Sequence, residues 1–190
     1  AQVIQKLPKE IVKSLAKKHG TDKYAKGFNT WSHLVSMIFC QFADCVSLRE
    51  ISNGLHSANG NLNHLGIARA PSKSNLACQN EHRSCAFFRE CYYALLGYFG
   101  QQISFSGRKF RFKNPVYALD STIITLCAEV YDWAHYTHAK GAVKLHTLLN
   151  FSTMLPEHVH ITDGKAGDNT AARNVKVKPG SIVVCDRGYF

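Results

Sequence analysis

Apolar residues in this chain recur at helical spacing as far as Gly100 and at strand spacing after Pro115. This change of period constrains the fold most, because a stripe of period 3.6 and an alternation of period 2 build different layers. In the first part Trp31, Leu34, Val35, Ile38, Phe39 and Phe42 form a helical stripe. Ser47-Leu48-Arg49-Glu50 has the form of a capping box that opens a short helix, with Gly54 placed to close it. Residues 52–70 are rich in Asn, Gly, Ser and His and read as loop. Pro71-Ser72 begins another helix, which runs through Leu76, Phe87, Phe88, Cys91 and Leu95 and ends between Gly97 and Gly100.

The second part reads as strands. Residues 116–124 are the first. Residues 142–151 are the second, with Val143, Leu145, Thr147 and Leu149 on one face. Residues 157–162 are the third, with Val159 and Ile161 inward, and Asp163-Gly164 makes a turn. Asp168 is placed to cap a short helix over 169–174. Residues 181–185 are apolar throughout after Ser181, as a buried parallel strand would be. The fold class is therefore α+β. Residues 1–100 form a helical domain, and residues 101–190 hold three antiparallel strands, a helix, and a fourth strand parallel to the first.

Composition narrows the function. The 190 residues carry a net charge of +10 and are 45% hydrophobic. A disordered tail is excluded, and the chain can bury a real core. The positive excess points to a polyanion, nucleic acid before anionic membrane. The longest apolar stretch, 31–46, is too short to span a bilayer and carries His33, Gln41 and Asp44. Residues 1–20 are lysine-rich without the apolar centre of a secretory signal. A cytoplasmic protein is expected. The first residue is not Met, and the chain stops just after an apolar run, which suggests a fragment truncated at both ends. The seven cysteines contain no Cys-x-x-Cys pair and read as buried, reduced thiols.

The charge is concentrated. Residues 1–30 hold seven lysines against Glu10 and Asp22. They read either as a solvated helix face around Ile11, Val12, Leu15 and Ala16 or as a phosphate-contacting arm. A short helix, a loop and a helix opening at Ser72-Lys73-Ser74-Asn75 are compatible with helix-turn-helix DNA binding. Arg108-Lys109-Phe110-Arg111-Phe112-Lys113 interleaves basic and aromatic residues, as an exposed edge strand or a backbone-tracking strand does.

Two acids stand where a carboxylate is costly. Asp120 interrupts an apolar run after Val116-Tyr117-Ala118-Leu119, and Asp186 ends Ile182-Val183-Val184-Cys185. If strands one and four are parallel neighbours, the two acids face one another. Convergent carboxylates suit Mg²⁺ and phosphoryl transfer. The plainer alternative is a turn former at Asp186, ion-paired with Arg187. His158 and His160 alternate on one strand face and read as strand-exposed histidines rather than zinc ligands. Lys144 and His146 share a face of the second strand and Lys140 precedes it. With Arg187, these are the candidate DNA-phosphate contacts.

Ala118-Leu119-Asp120-Ser121-Thr122 resembles the first-aspartate motif of DDE transposases, and Val184-Cys185-Asp186-Arg187-Gly188-Tyr189 resembles the second. Between them, Lys140-Gly141-Ala142-Val143-Lys144-Leu145-His146 and His160-Ile161-Thr162-Asp163-Gly164-Lys165 resemble linking segments of the same family. The insertion-sequence transposases of family four are the nearest group, and residues 28–99 resemble their helical N-terminal domain. The resemblance implies a ribonuclease H-like catalytic core, Mg²⁺ (or Mn²⁺) held by Asp120 and Asp186, and DNA cleavage and strand transfer at insertion-sequence ends. It implies DNA ends and target as partners, with a homodimer in a synaptic complex. The family's third acid is a Glu well downstream of the second Asp, and no Glu follows Asp186 here. The expectation is a partial catalytic domain, inactive alone. Its rivals are a non-catalytic DNA-binding competitor of the intact enzyme, a metal-dependent nuclease of the same fold class, and a remnant without function.

Overall fold

The computed structural model describes residues 2–58, 60–102, 113–126, 135–137 and 140–189. The chain divides into two compact units, Ala1–Gly97 and Tyr98–Phe190.

The first unit is helical: α1 (Gln2–Gln5), α2 (Lys9–His19), α3 (Thr30–Phe42), α4 (Leu48–Ser57), a 3₁₀ turn (Leu62–Leu65), α5 (Lys73–His82) and α6 (Cys85–Gln102), whose last residues belong to the second unit. Its core gathers Val12, Trp31, Val35, Ile51, Leu55, Leu76 and Phe87 from five helices. The lysine-rich start folds as α2, with Val12 and Ala16 buried. Its lysines are partly engaged: Lys13 pairs with Glu10, Lys18 with Glu90, and Lys9 lies over the Trp31 ring.

Three helical expectations change. The buried face of α3 takes in Trp31, His33 and Val35 with the small Thr30, Ser32 and Ser36, while Phe42 is exposed. Small polar side chains there satisfy their hydroxyls locally: Ser36 Oγ donates to the Ser32 carbonyl at 2.7 Å, and Thr30 Oγ1 donates to Asp22 Oδ1 at 2.6 Å. Gly54 does not end α4. A Cβ on it would come within 2.9 Å of the Phe39 ring, so the glycine lets α3 and α4 approach closely. Ser47 does cap this helix, accepting from the Glu50 amide, and Glu50 returns the contact to the Val46 amide. The expected single helix from Ser72 breaks at Arg83-Ser84. Ser84 Oγ accepts from the Ala86 amide, and Arg83 adopts extended backbone, turning its guanidinium inward to the Phe28 carbonyl and Asp22.

Residues 58–72, between α4 and α5, form a far longer connection than the three- to four-residue turn of a helix-turn-helix. Trp31 anchors that connection by donating from Nε1 to the Leu65 carbonyl at 3.1 Å. Gly66 follows at φ +68°, where the indole already fills the space a Cβ would need.

The second unit is a mixed sheet: β1 (Val116–Leu126), β2 (His135–Thr137), β3 (Lys140–Asn150), β4 (Leu155–Asp163), then α7 (Asp168–Ala172), β5 (Ile182–Cys185) and a 3₁₀ turn (Arg187–Tyr189). β3 pairs antiparallel with β1, β4 and the short β2, and β5 pairs parallel with β1. The expected order of three antiparallel strands, a helix and a parallel fourth is the observed one, with β2 added. A ribonuclease H-like α+β arrangement follows from that order.

Several strand details differ. The better buried face of β3 carries Ala142, His146, Leu148 and Asn150; of the opposite residues Gly141 and Val143 are buried, and Leu145, Thr147 and Leu149 are half-buried. The second core lies on that first face, where Tyr117, Leu119, Leu148 and Tyr189 pack with Ala172, Val175 and Cys185. Ile161 is exposed. β5 is not a buried strand: Val184 is 55% exposed, and among the described residues β5 pairs only with β1. Cys78 and Cys85 are exposed rather than buried, whereas Cys91 is buried. The basic-aromatic segment lies outside the described residues apart from Lys113, as does Cys127. Among the described residues no helix is long and apolar enough to cross a membrane.

Candidate active site

The site begins with the register of β1 on β5. The last parallel pair is Leu119 with Cys185, so the next residue on each strand is an acid. Asp120 and Asp186 therefore stand abreast on neighbouring strands, whose axes are spaced by about 4.8 Å. β1 is long because Thr, Ile and Val fill it, and it continues to Leu126 against β3. β5 stops at Cys185, and a tight turn carries Asp186.

Both carboxylates are exposed. Each is fixed by one local hydrogen bond: the Ser121 amide donates to Asp120 Oδ1 at 2.8 Å, and the Gly188 amide donates to Asp186 Oδ1 at 2.9 Å. Among the described residues no cation pairs with either acid, Arg187 included. Two open carboxylates at adjacent positions are hard oxygen donors without a counter-charge. That donor set fits Mg²⁺ or Mn²⁺, which takes one or two carboxylates and fills its shell with water and substrate phosphate. Among the described residues no cluster of three or more His, Cys, Asp or Glu is arranged to hold a metal.

The sequence reading missed a third acid beside them. Asp168 is not a helix cap. Gly167 occupies that position, and the Asp168 side chain turns into the sheet. Its Oδ1 accepts from Lys144 Nζ at 3.1 Å and from Ser121 Oγ at 3.3 Å, and lies 3.8 Å from His146 Nδ1. Its Oδ2 and Asp186 Oδ1 each lie 3.2 Å from the point where a Cβ on Gly188 would sit. The signal available beforehand was Lys144, inward on the same face as His146; a largely buried ammonium needs a carboxylate partner.

His146 and Lys144 were expected to meet DNA phosphates, and the fold gives them other work. His146 is 0% exposed, with Nε2 2.9 Å from Thr162 Oγ1 and Nδ1 3.3 Å from the Tyr189 hydroxyl. Burial lowers its pKa, helped by Lys144 and His160 and opposed by Asp168. Lys144 is 15% exposed and also donates to the Ala166 carbonyl at 2.9 Å. Burial raises the Tyr189 pKa, a Ser121 side-chain contact opposes it, and the charges of Asp168, Asp120 and Asp186 push it up further. Tyr189 thus sits in the field of all three acids. Arg187 is exposed beside Asp186, and Lys140 opens β3. His158 and His160 are half-buried rather than exposed, with stacked rings 6.4 Å apart.

Paired strand-end aspartates on a sheet of this order define a ribonuclease H-like domain. The comparisons with known proteins agree. Residues 111–190 match a family described as the transposase DDE domain, and residues 1–68 match a domain of unknown function (DUF4372). A protein of Sinorhizobium fredii named as a transposase, y4zB, is 27% identical over 120 residues, covering 63% of this chain and 32% of its own length. A Geobacillus stearothermophilus protein, named as the transposase of insertion sequence element IS5377, is 31% identical over 83 residues, covering 44% of this chain and 22% of its own. No solved structure matches the chain. The second unit is thus similar to the transposase DDE domain, and the chain spans about a third or less of the length of these relatives.

Proposed function

We propose that these residues form part of an insertion-sequence transposase, of the family-four type, that cuts DNA at element ends and joins the 3′ ends to target DNA. The observation that carries this reading is the β1–β5 register, which leaves Asp120 and Asp186 abreast, with no cationic partner among the described residues. The two acids would hold Mg²⁺ or Mn²⁺, which when bound activates an attacking oxygen and stabilises the leaving one. The protein's own part is to aim the two carboxylates at one place and to hold the scissile phosphate beside them. Arg187 and Lys140 serve as phosphate contacts, and the basic surface of the helical unit holds flanking DNA. The DNA partners are the element ends and the target, and the intact enzyme works as a homodimer on paired ends in the cytoplasm.

The test is cleavage of end-labelled insertion-sequence DNA by the intact transposase in Mg²⁺. Asp120→Ala and Asp186→Ala should each abolish cutting while leaving DNA affinity within about twofold of wild type. Cutting that survives either change would remove the proposal.

These 190 residues alone bind DNA without cutting it and can compete with the intact enzyme for its ends. The support for binding is the net charge of +10. Nicking by the purified 190-residue chain in Mg²⁺ would overturn this second statement and leave the first standing.

A further inference from the structure

We propose that Asp168 is a positioning residue for the acid pair, tying the turn that carries Asp186 to β1 and β3. The inference rests on the reading that Asp120 and Asp186 hold the divalent ion.

Three elements meet at this carboxylate. Ser121 comes from β1 and directly follows Asp120; Lys144 comes from β3; Gly188 belongs to the turn after β5. Asp168 Oδ1 is occupied by Ser121 Oγ and Lys144 Nζ, with His146 Nδ1 next to them. An oxygen committed to an ammonium and a hydroxyl is poorly placed to serve an ion as well. Asp168 therefore acts on the other two acids rather than beside them as a ligand.

Its leverage on each acid is short. The Ser121 side chain is held by Asp168, while the Ser121 amide holds Asp120 Oδ1. On the other side, Gly188 lies against Asp168 Oδ2, while the Gly188 amide holds Asp186 Oδ1. One carboxylate thus reaches both catalytic acids through one residue each. Tyr189 closes the arrangement, with its hydroxyl 3.3 Å from His146 Nδ1. The interior lysine has a purpose in this scheme. It neutralises Asp168, so that the positioning acid adds little repulsion to a site already holding two negative charges.

The test is Mn²⁺ affinity of the 190-residue chain, read by water-proton relaxation, with a thermal melt of each variant as the folding control. Asp168→Asn keeps size and an acceptor oxygen but removes the charge that binds Lys144. We expect Mn²⁺ affinity to fall about 10- to 100-fold, the usual loss when a partner behind a metal ligand is removed. The melt should move down yet stay cooperative, because Lys144 loses its carboxylate, and Asp120→Ala and Asp186→Ala should abolish binding. Wild-type affinity in Asp168→Asn, with binding abolished in the other two variants, would overturn the proposal and leave the metal reading intact. Undiminished binding in both Asp120→Ala and Asp186→Ala, or no saturable binding by the wild type, would overturn the metal reading itself. Should Asp168→Asn fail to fold, Ser121→Ala removes a single donor from the same carboxylate. Its affinity must then fall severalfold, and an unchanged value would overturn the proposal.

Discussion

Two single residues carry consequences that can be measured directly. His33 is buried in α3, with Nε2 2.6 Å from Asn80 Oδ1 and Nδ1 without a hydrogen-bond partner among the described residues. Burial lowers its pKa, Arg83 adds to this, and the Asn80 contact opposes it. The unfolded chain therefore binds a proton more readily than the folded one does. Its contribution to stability is complete above about pH 6.5 and is lost as pH falls from there towards the folded value. A melting temperature that drops between about pH 7.5 and about 5.5, with a smaller drop in His33→Gln, is the expected result. His146 contributes with the same sign in the second unit. Gly188 is the other residue. A methyl group there would lie 3.2 Å from both Asp168 Oδ2 and Asp186 Oδ1. Gly188→Ala should weaken Mn²⁺ binding by roughly tenfold, because one carboxylate must move. Titration of that variant beside the wild type checks it.

At the scale of elements, the helical unit depends on how its helices begin and where they meet. Phe87, fully buried on α6, packs edge-on against Phe88 and His19. Phe87→Ala should cost about 3–5 kcal/mol, measured by denaturant unfolding. Ser47→Ala should cost about 1 kcal/mol, because the first amides of α4 lose an acceptor. The capping box at Ser47 was legible because its four residues are local. The break at Arg83-Ser84 was not, because it depends on a guanidinium reaching back to Phe28 and Asp22, far away in sequence. Strand order and the abreast pair Asp120 and Asp186 were readable from two apolar runs that each end in an acid. Which face of β3 is buried was not readable, because both of its alternating sets contain apolar residues. The covering helix α7 and Tyr189 decide between them. Asp168 was misread for a related reason: it looks like a turn residue until Lys144 across the sheet claims it.

For the whole molecule, the net charge of +10 predicts DNA binding dominated by phosphate contacts. The slope of log affinity against log salt should be about −0.9 for each phosphate neutralised, and a filter-binding series over salt measures it. Asp120→Ala and Asp186→Ala should leave that slope unchanged. An affinity flat with salt would count against DNA as the partner. The sheet adds a constraint in time. β1 finds β3 early in the sequence, but it meets β5 only after β4 and α7 have been made. Parallel pairing between distant segments forms slowly, and a chain leaving the ribosome offers its N-terminal parts first. The acids are thus kept apart until nearly all of these residues exist. Under the proposed function, a polypeptide still being synthesised grips DNA with its helical unit before its two carboxylates are paired.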